Sequence, residues 1–357
     1  MKRLLILLAA CSLAACSSSS TTPPASKPAP TTPSATTAAP GSAATAPAHE
    51  GTVSERTFHS AALGVDKTYL VYLPEGYASS QKRYPVFYYL HGLTGDERSW
   101  IKGGHLDAAA DQLGLEAIVV TPDGDDGFYT DSVTPVDYDA CMKDGTGLFL
   151  PQFQHHDKTC VHQRNYETYI VKDLVADVDA QYRTIAKREG RGLAGMSMGG
   201  LGAFELAMRH PDEFSAAASH SGVVALLYAG PHPYGTGLVK LVTDVSTWGR
   251  TGDPSVNHIG EWVRALFGPD IANWKAHDPA FLLQKLEPGK LALYLDAGTE
   301  DEFGLDAQAA YVDELLSARK IEHVYFSGPG HHDFGFWIPR LPKSLAFLRD
   351  HLAKPQG

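Results

Sequence analysis

The sequence predicts an α/β domain, with a mostly parallel central sheet, helices on both faces and a cap-like insert. Three observations carry this. Short apolar runs alternate with helix-like ones along most of the chain, the pattern of a parallel sheet crossed by helices. A serine framed by glycines sits where one apolar run gives way to a helix, at Gly195-Met196-Ser197-Met198-Gly199. The first fifty residues are of different composition, which leaves 51–357 as a single domain of ordinary size for this class.

In chain order, 52–60 and 67–73 read as strands close enough to form an antiparallel hairpin at one edge. Residues 84–90 (Tyr84-Pro85-Val86-Phe87-Tyr88-Tyr89-Leu90) read as a buried strand running into His91-Gly92-Leu93. Residues 117–120 form another strand, and 166–182 an amphipathic helix. Gly192-Leu193-Ala194 leads into the serine turn, and 201–210 reads as the helix after it. Strands follow at 214–219, 291–295 and 321–327, with helices at 306–319 and 341–352. No internal repeat is present.

A serine between glycines on a strand-to-helix turn is the nucleophile elbow of an α/β-hydrolase. The turn leaves no room for side chains beside the serine, hence the glycines. It presents the serine Oγ at the top of the sheet. An ester hydrolase must also stabilise the oxyanion of its tetrahedral intermediate, and fixed backbone N–H groups do this well. A His-Gly pair after an early strand is the usual place for one donor, and the residue after the serine supplies the other. These are the N–H groups of Leu93 and Met198. The His91 side chain is read as structural, holding the loop.

The remaining groups follow in the order acid, histidine. The strand at 291–295 ends in Asp296-Ala297-Gly298-Thr299-Glu300-Asp301. An acid on the loop after a late strand is where this fold places the group that orients the histidine. Asp301 is the choice, with Asp296 and Glu300 as rivals. The strand at 321–327 leads into Gly328-Pro329-Gly330-His331-His332-Asp333-Phe334, where either histidine can serve as the base.

These pieces resemble the esterase family of α/β-hydrolases that includes esterase D-type S-formylglutathione hydrolases, feruloyl and acetylxylan esterases, tributyrin esterases and mycolyltransferases. The resemblance rests on Val71-Tyr72-Leu73-Pro74-Glu75-Gly76-Tyr77, Tyr89-Leu90-His91-Gly92-Leu93 with Trp100 soon after, and Pro122-Asp123-Gly124. It continues through Asn165-Tyr166-Glu167-Thr168, the segment 195–203, Gly298-Thr299-Glu300-Asp301, and Gly330-His331-His332-Asp333-Phe334-x-x-Trp337. It covers roughly 53–352. It implies that the histidine directly before Asp-Phe, His332, is catalytic and that Asp301 is the acid. It does not settle the substrate, because the family spans several acyl groups.

The N-terminus suggests where the protein works. Met1-Lys2-Arg3 is a basic start, 4–10 a short apolar run, and Leu13-Ala14-Ala15-Cys16 is similar to a bacterial lipobox, whose cysteine is lipidated. The run is too short to span a membrane. Leu8-Ala9-Ala10-Cys11 is a weaker second match, since it leaves a very short apolar region. By resemblance to Gram-negative lipoproteins, Ser17 after Cys16 points to the outer membrane, facing periplasm or cell surface. Residues 17–50, almost entirely Ser, Thr, Pro and Ala, read as a disordered tether. The formal charge is −11, and loss of Lys2 and Arg3 with the signal makes it −13. That balance argues against nucleic acid or an anionic membrane surface as partner.

Two inserts interrupt the alternation. Residues 133–162 carry Cys141 and Cys160, the only cysteines outside the signal, and the expectation in an exported chain is a disulfide. The rival is a metal site using His155, His156, Asp157 and His162. The second insert, 223–288, holds Trp248, Trp262 and Trp274. Its aromatics either grip substrate or fill the cap's own core.

The reading is a lipid-anchored serine esterase acting through an acyl-enzyme on a small-molecule or carbohydrate ester. It requires no metal or organic cofactor. The alternatives are an acyltransferase in which a sugar hydroxyl replaces water, as in the mycolyltransferases, and a non-catalytic binding lipoprotein.

Overall fold

The computed structural model describes residues 50–357. The signal segment 1–16 with Cys16 and Cys11, and the tether up to residue 49, lie outside the described residues. The strands are β1 (Thr52–Ser60), β2 (Val65–Leu73), β3 (Val86–Leu90), β4 (Ile118–Pro122), β5 (Arg191–Met196), β6 (Ala216–His220), β7 (Ala292–Gly298) and β8 (His323–Gly328). They form one sheet in the order β1-β2-β4-β3-β5-β6-β7-β8. β1 pairs antiparallel with β2, and β2 with β4; every other pairing is parallel. The expected edge hairpin and parallel body are both present.

The main helices are α1 (Leu106–Gln112), α2 (Met198–Arg209), α3 (Pro254–Phe267), α4 (Ile271–His277), α5 (Leu305–Ala318) and α6 (Phe334–His351). All five β3 residues are buried because helices cover both faces of the sheet. Val86, Tyr88 and Leu90 join one core with residues of α2 and α5. Phe87 and Tyr89 point the other way, into a core with α1 and α6. This period of two is what a strand imposes, whatever lies outside it. Tyr84 belongs to an isolated bridge with Thr184 rather than to β3. Its neighbour Pro85 has no N–H to offer the ladder.

Three expectations are corrected. The last helix starts at Phe334, not at 341, and runs through Pro339 and Pro342. Asp333 caps it, accepting from the Phe336 N–H at 3.2 Å. Burial of Phe336, Trp337, Leu341, Leu345 and Leu348 offsets the hydrogen bonds the prolines forgo. The segment expected as one helix over 166–182 contains a π-helical stretch, Tyr169–Leu174. Finally, β7 extends to Gly298, so Asp296 lies inside a strand and not on a loop.

Cys141 and Cys160 are disulfide-bonded, with Cα atoms 5.8 Å apart. Two of the rival histidines are engaged elsewhere: His162 stacks on Tyr138 at 3.8 Å, and His156 Nε2 lies 3.2 Å from the Pro151 carbonyl. The cap tryptophans bond to backbone. Trp262 donates to the Asp126 carbonyl and Trp274 to that of Gly268, each at 2.8 Å, and Trp248 donates to that of Leu226. Trp248 and Trp274 also pack together at 5.4 Å, so this pair fills the insert's own core. Among the described residues, no helix is long and apolar enough to cross a membrane.

Candidate active site

Because β3 and β5 to β8 run parallel, their carboxyl ends share one edge of the sheet, where open α/β sheets place their ligand sites. β5 ends at Met196, and Ser197 follows at φ 55° and ψ −118°, a conformation rare for a residue with a side chain. A Cβ on Gly195 would collide with the Gly199 backbone, and one on Gly199 with the Leu90 carbonyl. Glycine is therefore required at both places if the turn is to pack this tightly against β3.

His332 Nε2 lies 2.9 Å from Ser197 Oγ, and its Nδ1 lies 2.7 Å from Asp301 Oδ2. Asp301 is buried. Its other oxygen accepts from the N–H groups of Phe303 at 2.9 Å and Leu305 at 3.4 Å, which fixes the carboxylate. The imidazole is held edge-on between the rings of Phe303 and Trp337, at 4.9 and 5.1 Å. The rivals are engaged differently. His331 is exposed and pairs with Glu302 at 2.8 Å and Glu300 at 3.1 Å, and Glu302 raises its pKa by hydrogen bonding. Asp296 binds His220 instead.

The Leu93 and Met198 N–H groups make no hydrogen bond within the described residues. Met198 opens α2, so its N–H has no intrahelical acceptor. The Gly92 loop packs directly on Ser197: a Cβ there would stand 3.3 Å from the Ser197 Cβ. His91 holds this loop with its side chain, bonding the Gly92 carbonyl through Nδ1 at 2.8 Å and accepting from the Gly124 N–H through Nε2 at 2.9 Å. Asp126 accepts from the Thr94 N–H at 2.7 Å.

Beneath the loop lies a charge cluster that sequence reasoning missed. Buried Lys67 donates to Asp123 and Asp125, each at 2.8 Å, and Tyr166 donates to Asp125 at 2.5 Å. One cation cannot neutralise two carboxylates. Burial and the neighbouring Asp123 push Asp125 up to about 7, while Asp123, against the push of burial, is held far below the usual range by Lys67 and His91. Glu302 was missed too. It accepts from the His332 N–H at 3.1 Å, a contact across thirty residues with no local signal.

The described residues contain one further cluster of metal-ligating types, buried Glu167, Glu205 and His277. A cation already serves it: Arg209 and His210 bond Glu167 Oε1 at 3.1 and 2.7 Å, and His277 bonds Glu205.

A serine hydroxyl on an imidazole and the imidazole on a fixed carboxylate are the relay used in acyl transfer. The family model described as "Putative esterase" matches residues 60–348. A curated relative, an esterase of Mycobacterium tuberculosis, is 33% identical over 172 residues, 47% of this chain and 32% of that protein. The chain therefore spans about a third of that relative's length. An S-formylglutathione hydrolase of Paracoccus denitrificans is 27% identical over 297 residues, 82% of this chain and 88% of its own. The solved structure of an S-formylglutathione hydrolase from Agrobacterium tumefaciens has a TM-score of 0.61 at 20% identity, covering 85% of this chain and 96% of that one. At that identity the likeness speaks for the fold. The family match runs from the end of β1 into α6 and takes in every strand of the parallel body: the chain belongs to the esterase family of α/β-hydrolases.

Proposed function

We propose that this protein is an exported, lipid-anchored serine carboxylic-ester hydrolase acting on short-chain or carbohydrate-linked esters. The observation that carries the chemistry is the relay from Ser197 Oγ through His332 to Asp301, at 2.9 and 2.7 Å. Ser197 attacks the ester carbonyl as His332 Nε2 takes its proton. Asp301 keeps the imidazole in the tautomer that can accept it, and stabilises the charge that forms. The Leu93 and Met198 N–H groups receive the oxyanion. His332 then protonates the departing alcohol, and water activated by the same histidine releases the acid from the acyl-enzyme.

Support for export and anchoring is the basic start, the short apolar run and the small residues before Cys16, with a Pro-rich tether behind it. The Cys141–Cys160 disulfide fits an oxidising compartment. Export disfavours S-formylglutathione as substrate, because that thioester belongs to the cytosol.

The test is a screen of the purified chain against acetyl, butyryl, feruloyl and long-chain esters, with and without an added alcohol acceptor. Free acid as the main product supports the hydrolase. Predominant transfer to the acceptor would make it an acyltransferase. Labelled palmitate should appear on the wild type and be lost in Cys16→Ser; retention of the label would move the anchor to Cys11.

A further inference from the structure

Beneath the active site, on the α6 face of the sheet, lies a second serine–histidine–aspartate arrangement. His220 Nδ1 is 3.0 Å from both oxygens of Asp296, and its Nε2 is 2.8 Å from Ser344 Oγ. All three residues are buried, at 0, 1 and 0% exposure, so no substrate reaches them. His220, the last residue of β6, is the register partner of Asp296 inside β7. Ser344 lies within α6, and so does Arg340, which donates to Tyr294 Oη at 2.9 Å and approaches Asp296 at 3.4 Å. Tyr294 in turn donates to Asp296 at 2.6 Å, and Tyr89 Oη lies 3.0 Å from Ser344 Oγ.

The backbone of the same residues touches the catalytic apparatus. The His220 carbonyl accepts the Ser197 N–H at 2.9 Å, and the Asp296 carbonyl accepts that of Ser221 at 2.7 Å. Ser221 Oγ accepts from Trp337 Nε1 at 3.1 Å, and the Trp337 ring packs on His332. The nucleophile hangs from β6, whereas the base precedes α6, and the network ties these two elements together. β6 itself offers α6 little to grip, only Ala216 and Ala218 besides His220. Helix side chains can slide over alanines. A buried polar cluster loses its hydrogen bonds if they do, and fixing register is the best-attested use of such groups.

We propose that His220, Asp296 and Ser344 are positioning residues that fix α6 beneath the sheet and thereby hold His332 Nε2 on Ser197 Oγ. This rests on the reading of Ser197 as nucleophile and His332 as base. A displacement near 1 Å at a reacting pair can cost on the order of a hundredfold in rate.

The test is steady-state kinetics of Asp296→Asn and Ser344→Ala, each alone and combined with His332→Ala, with thermal melts for all. Asp296→Asn should lower kcat about tenfold or more with KM within about twofold, and Ser344→Ala should lower kcat about threefold or more. Both effects should vanish where His332 is already absent, because there is no base left to position. A kcat within about twofold of wild type in both single variants would overturn the proposal. So would an equal loss with and without His332, which is the mark of a merely lowered folded fraction. Should Asp296→Asn fail to fold, Ser344→Ala alone decides by the same criteria. Wild-type activity in His332→Ala would instead overturn the underlying reading.

Discussion

The molecule holds two sets of the same three residue types at nearly the same distances. Ser197, His332 and Asp301 are linked at 2.9 and 2.7 Å; Ser344, His220 and Asp296 at 2.8 and 3.0 Å. What separates them is backbone and access. Ser197 stands on a turn at positive φ beside two uncommitted N–H groups. Ser344 lies inside a helix, and its hydroxyl also donates to the Leu341 carbonyl at 3.0 Å. Ser344 is fully buried, so no carbonyl can approach it. What distinguishes Ser197 from Ser344 is therefore the strained turn and its surroundings, not the relay.

The comparison predicts a large asymmetry. Ser197→Ala should lower ester hydrolysis by about 10⁴-fold or more without shifting the melting temperature. A fluorophosphonate should label the wild type on the Ser197 peptide and never on the Ser344 peptide, as read by mass spectrometry. Labelling of Ser344 in the folded protein would break the contrast. Within the upper relay, Asp301→Asn should reduce kcat by about 10³- to 10⁴-fold through loss of the correct tautomer. His331→Ala should stay within about tenfold, since His331 pairs only with exposed acids; the reverse ranking of His331 and His332 would reassign the base.

Buried charge without a catalytic role should show in stability. Lys67→Met leaves Asp123 and Asp125 buried without their cation and should cost about 3–5 kcal/mol, measured from the shift of the urea unfolding midpoint. A loss below about 1 kcal/mol would mean that the acids below the Gly92 loop are solvated. Replacing Cys141 and Cys160 by serine should cost about 3 kcal/mol while leaving turnover on a small soluble ester near wild type. A large fall in turnover in the folded variant would tie the 133–162 insert to catalysis.

The smallest effect concerns pH. Burial pushes Glu205 up to about 7 from an ordinary value of 4.5, with His277 hydrogen bonding opposing the shift. Between these pH values the folded state holds a proton that the unfolded state releases. This contribution to stability is therefore complete below about pH 4.5 and is lost as pH rises through about 7. Glu205→Gln should flatten the decline of melting temperature over that range. An unchanged slope would show that Glu205 stays ionised.

Much of the upper relay was legible because its signals are local. The glycines around Ser197 report a turn that only glycine permits, and the segments before Asp301 and His332 carry loop chemistry at strand ends. Asp301 is preferred over Asp296 and Glu300 from its place on the loop, and the resemblance adds support; the structure brings Asp301 to His332 and Asp296 to His220. β7 continues three residues beyond its apolar run because Asp296 finds His220, Tyr294 and Arg340 as partners in the core. The start of α6 was missed for the complementary reason. Pro339 and Pro342 signal a break, yet the helix passes through them because its apolar face is buried against the sheet.

By itself the sequence determined the alternation of strands and helices, the elbow at Ser197, the short list of acids and histidines, and the pair of cysteines in the 133–162 insert. Each is a property of neighbouring residues: period, turn chemistry and composition. Tertiary structure decided which carboxylate meets which imidazole, that Lys67 sits under the Gly92 loop, and that a second relay lies sealed beneath the first. Those outcomes depend on contacts between residues far apart in the chain, such as Ser344 with His220. A buried polar group takes whatever partner the fold brings near, because remaining unpaired costs more than any local preference can supply.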